Sequence, residues 1–407
     1  MVLTLNVFVV LITVATASAL LYGRGKDKIQ RYAIPGLAGE STLGGGDDPS
    51  VTFPDGSSVD AQNWLITGSD NRSCIDPKSP YAGAFLASDV GGERSDTIMV
   101  MRVDPKHNFS AILSFPRDLY VKIGGTSRQA KINSAYDGTD PTRLIATIYR
   151  DFGVPIHHWL NVDFCAFKQL VDAVGGVGIS FAYPTRDLNT GLNIPVSGCA
   201  HMMGDEALAY VRSRHYQYST GKKTKSGRTQ WISDPTGDFG RIRRQQQFVK
   251  VVAQKALDAG IRNPKTFNQI LNSVVNNIKL DDTLDNGDLL KLGSKLVHLD
   301  PNATKTYMFQ GDLGLAGGES IVRIPTSGPS KTFNDAVIRI FQGKARPADV
   351  SEVDSPTSLP DATLGSTTPT TAPGETTTTV SNDDLDVITV KEPAAFGIIP
   401  PVDPSCK

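Results

Sequence analysis

Two arginines separated by one residue, Arg212 and Arg214, are side chains that could bind a phosphorylated substrate. If the segment around them ends a strand, alternation places both guanidinium groups on one face. Two such groups bind a phosphate or pyrophosphate in a bidentate geometry that lysine does not reproduce. The alternative is a surface pair engaged in ordinary ion pairs.

A second arginine lies beside an acid after an apolar run. Arg117 and Asp118 follow residues 111–115 through Pro116. This order places them in a loop at the carboxyl end of a predicted strand, which is the edge where open α/β sheets bind ligands. The alternative is a pair that only caps a turn. Both interpretations stay open at this point.

A predicted helix begins near Asp238, whose residue type is suited to an N-cap. Its first turns carry Arg241, Arg244 and Gln245. A helix N-terminus attracts anions, and several cations placed there repel one another unless an anion is bound. We therefore expect an anionic ligand at this helix end, although capping and a solvated basic face also account for part of the pattern.

Two aspartates, Asp70 and Asp96, lie next to predicted strands. The first follows a strand and the second precedes one, so the two could meet at one sheet edge. A pair of carboxylates suits Mg²⁺, which keeps several waters and shares its coordination with phosphates. The alternative is that each aspartate forms a turn. Mg²⁺ is the cofactor that the sequence predicts.

Other catalytic signatures are absent from the sequence. It contains no GxSxG elbow, no phosphate-binding P-loop and no HExxH zinc motif. Catalysis is therefore expected to rest on Mg²⁺ and arginines that stabilise phosphoryl charge, with a carboxylate as base.

The charge distribution favours an anionic ligand over nucleic acid. The 407-residue chain has a formal net charge of −1, yet residues 201–250 hold ten Lys and Arg against four Asp and Glu. A local basic region beside isolated acids suits an anion with a cation better than it suits a duplex. We expect no nucleic-acid partner.

The elements that must position these residues alternate between strand and helix patterns. Apolar, β-rich runs at 63–68, 97–103 and 111–115 predict buried strands. Helical patterns lie at 142–152, 164–174, 204–209 and 241–259. The sequence thus predicts an α/β fold, a layered α-β-α domain with a central mixed sheet, over residues 61–343.

The two ends of the chain differ from this domain. Residues 1–23 are apolar and uncharged, long enough to cross about 30 Å of hydrocarbon, and predict a single-pass membrane helix. A cleaved signal peptide is the alternative, because Ala17-Ser18-Ala19 matches a cleavage pattern. Residues 24–60 predict a spacer, and the Pro/Thr-rich acidic residues 344–407 predict a disordered tail.

The sequence gives conflicting signals on which side of the membrane the domain lies. Basic residues follow the apolar segment, which by the positive-inside rule favours a cytoplasmic domain. We nevertheless expect the domain on the extracytoplasmic face of the cell membrane, with a basic leader upstream of Met1.

Four cysteines allow three fully paired connectivities. An exported chain permits disulfides, and the preferred pairing is Cys165 with Cys199, followed by Cys74 with Cys406. Free buried thiols are the alternative.

Seven segments together resemble the LytR-CpsA-Psr family of bacterial cell-wall glycopolymer ligases, in its actinobacterial form. They keep the family order and cover about residues 61–260. The segments are GSD (68–70), RSDTIMV (94–100), FPRDLYV (115–121), KINSAY (131–136), VDAVGG (171–176), ALAYVRSRH (207–215) and DFGRIRRQQ (238–246).

The resemblance implies a phosphotransferase. In that family a polyprenyl pyrophosphate lies with its chain in an apolar tunnel and its pyrophosphate among arginines and Mg²⁺, and the glycan phosphate moves to a peptidoglycan hydroxyl. By motif position, Asp70 and Asp96 contact the metal. The implied pyrophosphate residues are Arg94, Arg117, Asp118, Lys131, Asn133, Arg212, Arg214, Arg241, Arg244 and Gln245, of which Arg117, Arg212 and Arg214 act in catalysis together with Asp96.

The polymer and the base are not determined by this resemblance. The glycan is of arabinogalactan, teichoic acid or capsular type, and Asp96 or Asp118 could deprotonate the acceptor hydroxyl. Two alternative functions remain open: a polyprenyl pyrophosphate phosphohydrolase, and a membrane-attached regulator that binds a lipid or polyanion without turnover.

Overall fold

The computed structural model describes residues 30–37, 61–69, 74, 76–82, 95, 97–107, 109–138, 140–258, 277–284, 304–348, 376–379, 385–390 and 406. The predicted membrane helix at 1–23 lies outside these residues. Within them, no helix is both long enough and apolar enough to span a bilayer.

Strands and helices alternate through the described part of the chain. The strands are β1 (Gln30–Tyr32), β2 (Gln62–Ser69), β3 (Thr97–Asp104), β4 (Phe109–Phe115), β5 (Leu119–Lys122), β6 (Gln129–Lys131), β7 (His158–Asp163), β8 (Val177–Phe181), β9 (Thr185–Asp187), β10 (Leu192–Ile194), β11 (Gly198–Met202), β12 (Gln217–Tyr218), β13 (Ile232–Ser233), β14 (Ile278–Asp281), β15 (Lys305–Met308), β16 (Asp312–Ala316), β17 (Glu319–Arg323), β18 (Ala345–Pro347), β19 (Thr376–Thr379) and β20 (Asp386–Val390). The helices are α1 (Thr142–Phe152), α2 (Phe164–Ala173), α3 (Gly204–Arg212), α4 (Gly237–Asp258) and α5 (Gly328–Phe341).

A seven-stranded mixed sheet forms the centre, in the order β1-β14-β7-β2-β3-β4-β15. β2 pairs in parallel with β7, and β4 pairs in parallel with β15. β3 is antiparallel to both β2 and β4. The strands β7, β2, β4 and β15 therefore all run in one direction, and their carboxyl ends meet at one edge of the sheet.

Each face of the sheet carries its own apolar core. Along β3, Met99 and Met101 pack on the side of α2, α3 and α4, whereas Ile98 and Val100 pack on the side of α1 and α5. This alternation follows from the two-residue period of a strand, and both faces are apolar because helices cover both. The predicted α-β-α layering with a central mixed sheet is confirmed.

Smaller sheets flank the central one. β16, β17, β5 and β6 form a four-stranded sheet, and β10, β9, β12 and β13 form another. β8 and β11 form a two-stranded antiparallel sheet. The first of these sheets contains the segment that follows Arg117 and Asp118, so it borders the predicted site.

Both predicted flexible ends contribute to the folded structure. Within the predicted spacer, β1 adds an edge strand to the central sheet, and Ile34 and Leu37 are buried. Within the predicted disordered tail, β18, β20 and β19 form a sheet, and Leu385 and Ile388 are buried. The prediction is wrong for these stretches, because short apolar runs within a polar segment are still buried against the domain. The rest of both segments lies outside the described residues.

The two disulfides differ from the predicted pairing. Cys74 bonds with Cys165, and Cys199 bonds with Cys406. Cys165 lies in the first turn of α2 and Cys199 lies in β11, whose partner strand β8 packs against Cys406 at Gly178. The preferred pairing of Cys165 with Cys199 is wrong because these two residues lie on different elements that do not bring their sulfur atoms together.

Candidate active site

Most of the predicted site residues that the structure describes lie near the carboxyl edge of β7, β2, β4 and β15. Pro116, Arg117 and Asp118 follow β4, as the strand pattern predicts. Gln246 of α4 donates from its side-chain nitrogen to Ser114 Oγ at 2.9 Å and to the carbonyl of Tyr307 at 3.1 Å, both in strands that reach this edge. These contacts seat the first turns of α4 above the loop that carries Arg117.

Asp238 is the centre of an arginine cluster, which we define as Arg117, Arg214 and Arg241. Asp238 Oδ1 lies 3.0 Å from Arg241 Nη2, 3.3 Å from Arg214 Nε and 3.9 Å from Arg117 Nε. The three arginines come from a strand-end loop, the segment after α3 and the first turns of α4. Asp238 lies inside the first turn of α4, which begins at Gly237, so it is an arginine partner and not the N-cap that the sequence predicts.

Asp118 and Lys131 extend this cluster. Asp118 lies 3.5 Å from Arg117 Nε and 3.3 Å from Lys131 Nζ, and Lys131 also lies 3.0 Å from a Glu319 carboxylate oxygen. Partial burial opposes the charge of the Lys131 ammonium, but Glu319 and Asp118 outweigh it, and the pKa of Lys131 is raised. Asn133 donates its backbone N–H to the carbonyl of Arg117 at 3.2 Å and thereby supports the loop.

Arg212 and Arg214 are not at a strand end. This segment is a helix because Leu208 and Val211 are spaced to bury one helical face against the core. Arg212 is the last residue of that helix, α3. The two side chains therefore diverge: the Arg212 guanidinium lies 4.5 Å from the centre of the Phe164 ring, whereas Arg214 reaches Asp238. The prediction that both leave one face of a strand is wrong, although both border the same site.

The turn after α3 is held by a buried aspartate that the sequence analysis missed. Asp187 Oδ2 accepts hydrogen bonds from Ser213 Oγ at 2.6 Å, from the Arg214 N–H at 3.1 Å and from the His215 N–H at 2.9 Å. Asp187 is fully buried in β9. Three hydrogen bonds to one carboxylate fix the direction in which Arg214 leaves the backbone.

Arg244 lies behind this turn and not in the cluster. Its side chain is fully buried, donates to the Ser213 carbonyl at 2.6 Å and to Asp234 Oδ2 at 3.3 Å, and stacks 4.5 Å from the centre of the Tyr216 ring. Both terminal nitrogens of its guanidinium are thus engaged within the protein. We therefore assign Arg244 a positioning role for the Arg214 turn in place of the predicted pyrophosphate contact.

An apolar cavity of about 130 Å³ opens beside the cluster, between the sheet and the helices α2, α3 and α4. Its polar end is formed by Arg212, Arg241 and Gln245. Its apolar walls are formed by Ile66, Met99, Val162, Phe164, Phe167, Leu170, Val171, Leu208, Val211, Phe248, Val249 and Val252. A long apolar chain with a charged head is the kind of molecule that such a cavity accommodates.

The charge balance of the described site is positive. Five cationic side chains, Arg117, Lys131, Arg212, Arg214 and Arg241, accompany the carboxylates of Asp118, Asp238 and Glu319. Guanidinium groups fixed around one point stabilise charge on phosphoryl oxygens because they need no reorganisation during the reaction. The geometry therefore suits a doubly charged pyrophosphate.

The predicted metal ligands, Asp70 and Asp96, lie outside the described residues, as does Arg94. Their described neighbours Gly68 and Thr97 pair with each other across β2 and β3. The part of the chain that the structure describes contains no cluster of three or more His, Cys, Asp or Glu side chains suited to a metal.

Comparison with known proteins identifies the family of the chain and agrees with its fold. The LytR_cpsA_psr family model matches residues 41–335. TagU of Bacillus mycoides, named a polyisoprenyl-teichoic acid–peptidoglycan teichoic acid transferase, is 33% identical over 216 residues, which are 52% of this chain and 63% of that protein. The match therefore spans less than two thirds of the length of this relative.

Solved structures share the fold. A LytR-Csp2A-Psr enzyme from Actinomyces oris aligns with a TM-score of 0.52 at 23% identity over 77% of this chain and 96% of that one. TagV of B. subtilis aligns with a TM-score of 0.51 at 21% identity over 69% and 97%, respectively. The chain belongs to the LytR_cpsA_psr family, and the resemblance drawn from its motifs is confirmed.

Proposed function

We propose that this protein is a phosphotransferase that moves a phosphorylated glycan from a polyprenyl pyrophosphate carrier to a hydroxyl group of peptidoglycan. The observation that carries this proposal is the contact between an apolar cavity and the arginine cluster. Arg241 belongs to both, because it lines the cavity and pairs with Asp238 at 3.0 Å. A lipid tail in the cavity would hold its pyrophosphate against the arginines.

The chemistry follows from this arrangement. The guanidinium groups of Arg117, Arg214 and Arg241 would leave Asp238 and bind pyrophosphate oxygens, since an anion with more charge competes for them. Arg212, above the Phe164 ring at the polar end of the cavity, would bind the phosphate that stays on the lipid. These contacts stabilise the charge that develops on the leaving prenyl phosphate.

Mg²⁺ is part of the proposal, with Asp70 and Asp96 as its ligands. Gly68, two residues before Asp70, pairs with Thr97, the residue after Asp96. Carboxylate oxygens are suitable ligands for Mg²⁺, and the bound ion would neutralise charge on phosphoryl oxygens.

We place the domain on the extracytoplasmic face of the cell membrane, with residues 1–23 as the anchor. Support comes from the two disulfides, because such bonds persist in oxidising compartments outside the cytoplasm. The carried glycan is of the teichoic acid class named for the relatives, or of the arabinogalactan or capsular class.

The first experiment measures phosphate release from geranylgeranyl pyrophosphate by the full chain in detergent, with and without Mg²⁺. We expect Arg117→Ala to lower the rate by about 100-fold, which is typical of the loss of one transition-state charge donor. Arg128→Ala, an exposed arginine in the turn between β5 and β6, is the matched control and should retain the rate. Absence of release and of lipid binding by the unaltered chain would contradict the proposal.

A further inference from the structure

A second cavity, distinct from the apolar one, lies beside the arginine cluster. It is a groove of about 470 Å³. Asp118 and Asp238 line it, so it opens directly onto the carboxylates that hold the arginines. The other residues that line this groove include Pro116, Phe239, Arg243, Gln310, Leu313 and Ser320.

The first turns of α4 form a wall between the groove and the apolar cavity. Phe239 and Arg243 line the groove, whereas Arg241 and Gln245 line the cavity. Positions two apart on a helix are separated by about 200° around its axis, so these two pairs lie on nearly opposite faces. Asp238 lies between the two faces and is in contact with both the groove and the cluster.

This placement has a consequence for phosphoryl transfer. In such a reaction the attacking oxygen and the leaving oxygen lie roughly in line on opposite sides of the phosphorus. If the prenyl phosphate leaves toward the apolar cavity, the attacking hydroxyl must come from the other side of the arginine cluster. The groove is the described cavity that opens on that side.

The lining of the groove suits a sugar. Carboxylates, the Gln310 amide and the Ser320 hydroxyl can hydrogen-bond sugar hydroxyls, whereas Phe239 and Leu313 offer apolar surface to the C–H faces of a ring. The floor is well fixed, because the Asp118 carbonyl accepts from the Val322 N–H at 2.9 Å and joins the site loop to β17.

We propose that this groove is the acceptor site and that it takes a glycan strand whose hydroxyl group lies next to Asp118. The proposal rests on the proposed phosphotransferase function. Both oxygens of Asp238 face Arg241, at 3.0 and 3.1 Å, whereas the partners of Asp118 lie at 3.3 and 3.5 Å. Asp118 is therefore the less tightly held of the two carboxylates that line the groove.

The proposed transfer forms one bond to phosphorus and breaks one. The acceptor oxygen forms a bond to the phosphorus that carries the glycan, and the bond from this phosphorus to the bridging oxygen of the pyrophosphate breaks. The hydroxyl proton passes to the Asp118 carboxylate. The electron pair of the broken bond leaves on the prenyl phosphate, which stays with the arginines and the apolar cavity.

The test fills the groove without changing the cluster. Ser320 is exposed and lines the groove, so Ser320→Trp should obstruct it. Ser127→Trp is the matched control, because Ser127 is an exposed serine in the turn between β5 and β6 of the same small sheet and does not line the groove. Each full-length variant is assayed for transfer of phosphoglycan from a short-chain prenyl pyrophosphate donor to a soluble peptidoglycan glycan fragment, and for release of the same phosphoglycan to water.

We expect Ser320→Trp to lower transfer to the glycan by about tenfold or more while release to water changes by less than about twofold, because only the acceptor is displaced. Retained release also shows that the variant is folded. Leu313→Trp is the second probe, since Leu313 is 78% exposed and cannot disturb the core.

Two outcomes would overturn the proposal. One is unchanged transfer in both Ser320→Trp and Leu313→Trp. The other is an equal fall of transfer and release in both variants but not in Ser127→Trp, which would make the groove part of the donor site. A wild-type chain with neither reaction would instead refute the proposed function itself.

Discussion

At the scale of single residues, Asp238 holds the three arginines of the cluster together in the absence of substrate. Three guanidinium groups that converge without an anion would repel one another, and the Asp238 carboxylate offsets this repulsion. A pyrophosphate brings more negative charge and more acceptor oxygens to the same point. It can therefore displace the Asp238 carboxylate and bind the arginines in the orientation that Asp238 maintains. The cluster is thus preorganised for the reaction.

Two arginines that meet at the turn after α3 should respond very differently to substitution. Arg214 is 27% exposed and pairs with Asp238, so Arg214→Ala should cost about 1 kcal/mol or less of stability but lower turnover by about 100-fold. Arg244 is fully buried with Asp234 and Ser213, so Arg244→Met should lower the free energy of unfolding by about 3–5 kcal/mol. Urea unfolding and phosphate release, measured on both variants, separate these effects.

The opposite pattern would contradict the assignment of roles. An Arg244→Met protein as stable as the wild type but inactive would indicate that Arg244 contacts the substrate. A strongly destabilised Arg214→Ala protein would indicate that Arg214 mainly holds the fold.

At the scale of elements, Asp281 joins β14 to β7 on the central sheet. Asp281 Oδ2 accepts from the Trp159 N–H at 2.9 Å, and its other oxygen lies 3.4 Å from His158 Nδ1. Burial alone would raise the pKa of this carboxyl, but hydrogen bonds from His158, Thr283 and Trp159 and the charge interaction with His158 outweigh it, and the pKa is lowered from its ordinary value of 3.8.

This lowered pKa predicts an acid-dependent loss of stability. A carboxyl whose pKa is lower in the folded state stabilises the fold above its unfolded-state pKa, and the contribution is lost as the pH falls through the folded-state pKa. Asp281→Asn should therefore be less stable than the wild type at neutral pH, and the difference should shrink below about pH 4. Urea unfolding from neutral pH to about pH 3 measures this difference.

The neighbouring exposed residue provides the control for the pH series. Asp282→Asn should follow the wild type at each pH, since Asp282 is exposed. A stability difference between Asp281→Asn and the wild type that stays constant with pH would show that the carboxylate does not carry the effect.

At the scale of the whole molecule, the C-terminal segment contacts the regions on both faces of the central sheet. Ile388 belongs to the core on the side of α1 and α5. Cys406 bonds to Cys199 in β11, which lies beside the other core through β8 and Met202. The segment beyond the predicted domain boundary at 343 is therefore part of the folded unit in its described portions.

Removal of this covalent link should destabilise the entire domain. The double variant Cys199→Ser/Cys406→Ser should lose about 2–4 kcal/mol of unfolding free energy, because the bond closes a long loop and restricts the unfolded chain. Urea unfolding under oxidising conditions measures the loss. Addition of a reductant should destabilise the wild type by more than it destabilises the variant, which retains only Cys74–Cys165.

An unchanged midpoint in the double variant would contradict this prediction. It would mean that the C-terminal segment is held by its strands and buried side chains alone. Activity of the variant at low temperature, where it stays folded, should match the wild type because neither cysteine lines the cavity or the groove.

The sequence by itself determined the layered fold, the family and the elements with strong local signals. α1 begins and ends where its pattern predicts, because Pro141 precedes it and Gly153 ends it in a left-handed conformation at φ 62°. The strands β2, β3 and β4 were found because their apolar runs are buried on both faces. The position of Arg117 was predicted correctly because it depends only on the end of β4, which the local sequence pattern indicates.

Only the tertiary structure decided which of the charged residues meet. Asp187 and Asp234 hold the turn that carries Arg214, and Glu319 reaches Lys131 from a distant hairpin. No local pattern distinguishes these acids from solvated ones, since each acquires its role from a partner far away in sequence. The cysteine pairing and the split between Arg212 and Arg214 were decided in the same way, because contact between side chains depends on how the elements pack and not on their spacing along the chain.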